Sequence, residues 1–157
     1  MSKRKKHIKR IAMPKAWPIA RKGNKYIMKP RTGRSLESCL PICIILRDLL
    51  KICQTKREVQ RSLIGKEIMI NGKAINDFKF PVGLFDIISI PKINRQFRLE
   101  ISKYGKLEVS ETKDSNEKPC KVVGKNVLHG GKIQINLSDG RNFIEKDSKK
   151  LKINDSV

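Results

Sequence analysis

The chain has 157 residues, with 36 Lys and Arg against 15 Asp and Glu, for a formal net charge of +21. That length allows one domain or two very small ones, and that charge points to a polyanionic partner while excluding a cationic substrate. No apolar run approaches the ~18 residues of a membrane-spanning helix, and with 38% hydrophobic and 5% aromatic residues the expected core is modest.

The charge is uneven along the chain. Residues 1–34 hold 13 Lys and Arg and no acid, residues 35–90 hold 8 against 6, and residues 91–157 hold 15 against 9. This reads as a basic arm followed by more balanced folded segments. Pro14, Pro18 and Pro30 interrupt the arm, and its apolar residues, Ile8, Ile11, Met13, Trp17, Ile19, Tyr26 and Ile27, are scattered among cations. Such a segment buries too little surface to offset its chain entropy, so it is expected to be extended and to order only on a partner. Aromatics among cations suit stacking on nucleic-acid bases. The arm's candidate RNA contacts are Lys3, Arg4, Lys5, Lys6, Lys9, Arg10, Lys15, Trp17, Arg21 and Lys22. The basic start lacks the apolar stretch of a secretory signal, so a cytoplasmic location is expected.

Residues 41–53 predict a helix. Pro41 suits its first turn, and Ile42, Ile45, Leu46, Leu49 and Cys53 recur at steps of three and four. Arg47 and Lys51 fall on the opposite side. A second helix follows, with Thr55 and Glu58 spaced as a capping box, Val59 and Leu63 as its apolar side, Lys56, Arg57 and Arg61 as its cations, and Gly65 as its end. If the two helices pack antiparallel, their cations form one positive surface, and arginine's planar head suits phosphate.

The period then changes to two. Residues 67–70 predict a strand, Asn71-Gly72 a hairpin turn and residues 73–75 its return. Residues 85–90 predict another strand, closed by Pro91. Lys73 and Lys79 are further candidate RNA contacts. Beyond residue 92, strands are predicted over 97–101, 107–109, 120–123, 132–137 and 141–144, separated by a polar loop at 113–118 and by turns at Tyr104-Gly105, Gly130-Gly131 and Asp139-Gly140. Short strands at this spacing suggest a small β-barrel or curled sheet. Lys132 and Arg141 lie beside its turns. The last twelve residues show no element.

Catalytic signatures are lacking. There is no P-loop, H-E-x-x-H, G-x-S-x-G or G-x-G-x-x-G spacing. Cys39, Cys43, Cys53 and Cys120 include no C-x2-C pair, and only His7 and His129 could join them, so no metal site is expected and the thiols read as small apolar residues. His129 reads as a turn residue, with an RNA contact as the alternative. Asp48, Asp77, Asp86 and Asp139 read as caps and ion-pair partners.

Leu46-Arg47-Asp48, Thr55 to Arg61, Ile68 to Lys73 and Val82 to Ile90 resemble the RNA-binding module named after the bacterial small-subunit protein S-four. His7 to Ile19, Lys79 to Leu84, Cys120-Lys121-Val122, Gly130 to Leu137 and Asp139 to Asn142 resemble the archaeal and eukaryotic ribosomal protein family S-four-e, in the family's order over nearly the whole chain. The resemblance implies an α+β protein: a basic arm (residues 1–40), a helix-helix-hairpin module (41–91) and a small β domain (92–157). It implies a non-catalytic constituent of the small ribosomal subunit, bound to its rRNA and neighbouring ribosomal proteins, with no cofactor, membrane or small-molecule substrate. A free RNA-binding or ribosome quality-control factor is the alternative. Two departures stand out. The family usually has glycine where Lys66 stands. It also continues through a KOW-type barrel, so this chain is expected to lack that part and Leu151 to Val157 to be left unpaired.

Overall fold

The computed structural model describes residues 7–112, 117–145 and 151–157. Two compact units divide between Asn116 and Glu117. The protein is α+β, with few helices and several antiparallel sheets.

In the first unit, the arm forms β1 (Ile8–Lys9) and β2 (Tyr26–Ile27), paired antiparallel. Next come β3 (Cys39–Pro41), the short helix α1 (Ile42–Ile44) continued as a π-helical turn over Ile45–Leu49, and α2 (Lys56–Ile64). The strands β4 (Met69–Ile70), β5 (Lys73–Ala74), β6 (Pro81–Gly83), β7 (Ile87–Ile90), β8 (Arg95–Ile101) and β9 (Leu107–Glu111) complete the unit. β6 pairs with β3, and the others form a five-stranded antiparallel sheet in the order β5-β4-β7-β8-β9. The expected boundary at 91/92 therefore falls inside this sheet. Phe97 and Leu99 of β8 and Leu107 of β9 face the same core as the helices.

The arm departs from expectation. Its described residues, 7–34, are built into the core, because its scattered apolar side chains find partners in the rest of the unit. Met13 and Trp17 are buried, and Ala16, Ile19, Ile27 and Met28 pack against the same cluster. The Trp17 indole N–H donates to the Leu36 carbonyl (3.1 Å), and Leu107 N–H donates to the Ala16 carbonyl (2.7 Å). Arg10 Nε donates to the Ala20 carbonyl, and the Arg21 guanidinium donates to the carbonyls of Ile11 and Met13, so two arm cations hold the arm's own fold.

The first helix is also shorter than its apolar period suggests. Ile42 to Leu46 are buried on every side, as expected of a helix in the middle of a core. Leu50 N–H closes a π-type bond to the Ile45 carbonyl, and Lys51 then turns left-handed (φ 54°). Lys51 therefore lies outside the helix rather than one turn above Arg47.

α2 matches its prediction closely. Thr55 accepts from Glu58 N–H and the Glu58 carboxylate accepts from Thr55 N–H, completing the capping box, while Val59 and Leu63 are buried. The helix ends at Gly65 as expected, but Gly65 keeps φ −69° and the left-handed residue is Lys66 (φ 54°). Glu67 N–H donates to the Ser62 carbonyl and Lys66 N–H to the Leu63 carbonyl, the Schellman pattern with lysine where glycine costs least.

A buried carboxylate ties the hairpin to the core. Asp86 is fully buried and accepts from Arg34 Nη2 (3.1 Å), Asn71 Nδ2 (2.9 Å) and Gly83 N–H (2.8 Å). Asn71 Oδ1 in turn accepts from Ile87 N–H. Asn71 and Gly72 both have positive φ, as the two-residue hairpin turn requires. A Cβ on Gly83 would overlap the Arg34 guanidinium, so glycine makes room for this pair.

The second unit, Glu117–Val157, is an antiparallel meander of β10 (Val122–Val127), β11 (Ile133–Leu137) and β12 (Asn142–Glu145). Val122 and Ile135 are fully buried in it. The closing residues are not unpaired: Val157 and Cys120 exchange two backbone hydrogen bonds, and Val122 bonds Asp155 and Asn154. The predicted polar loop at 113–118 lies mostly outside the described residues.

Candidate nucleic-acid interface

One concave feature of the first unit is a groove of about 360 Å³ where the arm, the π-helical turn, the start of α2 and the loop before β6 converge. Ile19, Ile27 and Met28 line it with apolar surface, His7, Tyr26 and Phe78 add aromatic rings, and Arg10, Lys29, Arg47, Lys56 and Lys79 supply cations. Asp48 is the one carboxylate among the lining residues.

Local structure fixes each wall. Cys43 N–H donates to the Phe78 carbonyl and Ile42 N–H to the Phe80 carbonyl, which tie the loop to the start of α1. Arg31 N–H donates to the Lys79 carbonyl, and the Arg31 guanidinium pairs with Asp77, which also caps Lys79 N–H. The loop is thereby held between helix and arm. Lys56 Nζ stands 4.1 Å from the Phe78 ring centroid and Lys79 Nζ 5.8 Å from it. On the arm side, the His7 and Tyr26 rings meet edge to face at 4.9 Å, and Lys25 Nζ lies 5.5 Å from the Tyr26 centroid. These cation–π placements hold ammonium groups beside ring faces at the groove.

Arg47 behaves differently from the expectation of a phosphate donor on an open face. Its guanidinium makes two hydrogen bonds to its neighbour Asp48, at 2.9 and 2.8 Å. That pairing pushes its pKa further up, so it stays a cation whose charge is offset locally by the Asp48 carboxylate. Arg57 and Arg61, four residues apart on α2, are exposed, with no ion pair among the described residues. Glu58 turns to the N-cap instead: hydrogen bonds from Gln54 N–H and Thr55 N–H hold its carboxyl below the usual range.

The remaining predicted cations fall in several places. Lys9, Lys15 and Lys22 are exposed on the arm, Lys51 follows the π-helical turn, and Lys73 sits exposed at the hairpin. Trp17 is core, at 2% exposure, and cannot stack on a base without unfolding the arm. Lys132 and Arg141 are exposed on the second unit, where Arg141 stands 3.4 Å from Asp139. The Asp139 side chain is largely covered, which favours its neutral form, yet Arg141 N–H and the Lys118 ammonium hold its carboxyl below the usual range. Lys3, Arg4, Lys5 and Lys6 lie outside the described residues. The sequence alone does not single out Lys29 and Phe78. The Phe78-Lys79-Phe80 alternation carried the signal, with an aromatic on each side of a cation.

This is a fold with a cationic, aromatic-lined cleft and no catalytic constellation among the described residues, and the known proteins it is similar to are ribosomal. Residues 93–157 match the family model described as "Ribosomal family S4e", and residues 4–33 match the "RS4NT (NUC023) domain". The chain is 42% identical over 152 residues to the small ribosomal subunit protein eS4 of Methanocella arvoryzae, covering 96% of this chain and 64% of that protein. It is 40% identical over 150 residues to the eS4 of Nanoarchaeum equitans, covering 93% and 64%. The crystal structure of the 30S ribosomal protein S4e from Thermoplasma acidophilum superposes with a TM-score of 0.57 at 31% identity, covering 74% of this chain and 59% of that one. The chain belongs to the S4e family, and it spans a little under two thirds of the length of the relatives it matches.

Proposed function

We propose that this chain is a non-catalytic structural constituent of the small ribosomal subunit that binds rRNA. Relatives matched over 96% and 93% of the chain are named small ribosomal subunit protein eS4, and the cations gathered at one groove supply the chemistry. In this reading the helices, hairpin and groove form the RNA-binding module, Arg57, Arg61 and Lys73 meet phosphates, and the second unit adds a contact through Lys132 and Arg141. Neighbouring small-subunit proteins are the expected protein partners, and the location is on the ribosome.

Phosphate neutralisation dominates the affinity. With ~6–10 phosphates engaged, raising salt from about 50 to 200 mM costs roughly three to five decades in binding, by analogy with duplex DNA. The test is filter binding of the full chain to small-subunit rRNA across that salt range, for wild type and Arg57→Gln/Arg61→Gln. The double variant is expected to flatten the slope of log affinity against log salt by about 1.5 to 2. An unchanged slope with wild-type affinity contradicts a phosphate role for α2.

A further inference from the structure

We infer that the groove between arm and α2 takes a single unpaired nucleotide, its base against the Phe78 ring and its flanking phosphates on Lys56 and Lys79. The inference rests on the RNA-binding reading and narrows it to one subsite and one conformation of the RNA.

Three observations carry it. The first is composition: a face lying only against duplex backbone needs cations, not the apolar lining of Ile19, Ile27 and Met28 together with three rings. Apolar lining with a few placed polar groups is the character of a pocket for a flat, partly apolar ligand, and an unstacked base is the part of RNA that fits this description. The second is size. About 360 Å³ lies at the small end of ligand pockets and admits one nucleotide but no helix.

The third is the placement of the cations. Lys56 Nζ at 4.1 Å and Lys79 Nζ at 5.8 Å from the Phe78 centroid lie over the ring that a base would stack on, within a side chain's reach of the phosphates adjoining that base. The cation–π contacts keep these ammonium groups near the ring in the free protein. A base arriving on the ring displaces them by a short reach onto its own phosphates, which are stronger partners for an ammonium. Phe78 is set in advance, because its carbonyl accepts from Cys43 N–H and the next residue's carbonyl accepts from Arg31 N–H. Little ordering is left for the moment of binding.

The experiment compares two probes of equal charge on the full chain: an eight-residue oligoadenylate and an eight-residue abasic ribose-phosphate chain. Stacking of one base predicts about ten-fold tighter binding of the oligoadenylate. A 2-aminopurine placed within it should lose fluorescence on binding. Phe78→Leu keeps apolar bulk and should bring the ratio of the two affinities near one, with abasic binding unchanged. Lys79→Ala should weaken both probes alike. Equal wild-type affinity for the two probes, or unquenched 2-aminopurine, overturns the inference. So does polyglutamate binding as tightly as oligoadenylate, which would make the groove a general acidic-polymer site. A chain that retains the small subunit while failing these tests loses only the nucleotide subsite, whereas failure to bind rRNA at all removes the wider reading.

Discussion

Trp17→Ala separates the two roles that a lone tryptophan in a basic arm could play. Its indole is 2% exposed within the core and donates to the Leu36 carbonyl. An aromatic side chain of this size buries ~150–250 Å². At ~25 cal/mol per Å² that is about 4–6 kcal/mol, an upper bound because unfolded chains already bury part of it. Large-to-small aromatic substitutions cost ~3–5 kcal/mol, so a loss of about 4 kcal/mol is expected, a large share of a domain stability of ~5–15 kcal/mol. Trp17→Phe keeps a ring but strands the Leu36 carbonyl, for about 1–2 kcal/mol. Urea unfolding followed by far-ultraviolet circular dichroism reads both, since the chain holds only one Trp. The wild-type fluorescence should be that of an indole shielded from water. An alanine variant within about 0.5 kcal/mol of wild type, yet weakened in RNA binding, would refute the core assignment.

Three further outcomes follow from the fold. Lys66→Gly relieves a left-handed lysine (φ 54°) worth ~1–2 kcal/mol against a glycine entropy cost of ~0.5–1, so it should raise stability by a few tenths to about 1 kcal/mol in the same urea assay. Asp86→Ala strands Arg34 and frees Asn71, and breaking such a buried pair costs ~3–5 kcal/mol; a thermal melt near that of wild type would contradict the hub. The four cysteines are buried, and burial pushes the Cys39 thiol from 9.0 up to about 11. Folded thiols should therefore react with a disulfide reagent only at the rate of unfolding. Because the unfolded thiols ionise first, stability should fall as pH rises from about 9 through 11, and a flat profile there would contradict the burial.

The parts of the fold legible in the sequence are those set by neighbours in the chain. Thr55 with Glu58, Asn71-Gly72 and the glycine turns act through local hydrogen bonds and φ preferences, so spacing alone announces them. Trp17 could not be read this way. Its burial depends on the core cluster and the Leu36 carbonyl arriving from farther along the chain, and scattered apolar residues have no period to show it. The same holds for β8 and β9, whose alternation marks them as strands but not which sheet they extend. Arg47 shows a subtler limit. A straight α-helix would separate it from its neighbour's carboxylate, whereas the π-helical turn accompanies a bidentate pair with Asp48. The cationic character of the groove was visible in the composition, but its location waited on the loop at Phe78 meeting the arm. Lys66 shows that a missing glycine need not move a turn: the lysine adopts the left-handed conformation itself.

Permanent residence on ribosomal RNA is the central claim, and copies per particle after washing test it most directly. Small subunits are washed at increasing salt, sedimented and analysed by quantitative mass spectrometry for this chain against other subunit proteins. One copy per particle, retained through a moderate-salt wash along with its neighbours, is the predicted result. Sub-stoichiometric copies that leave at salt concentrations sparing the other subunit proteins would contradict it, and would describe a factor that visits the ribosome instead of a part of it.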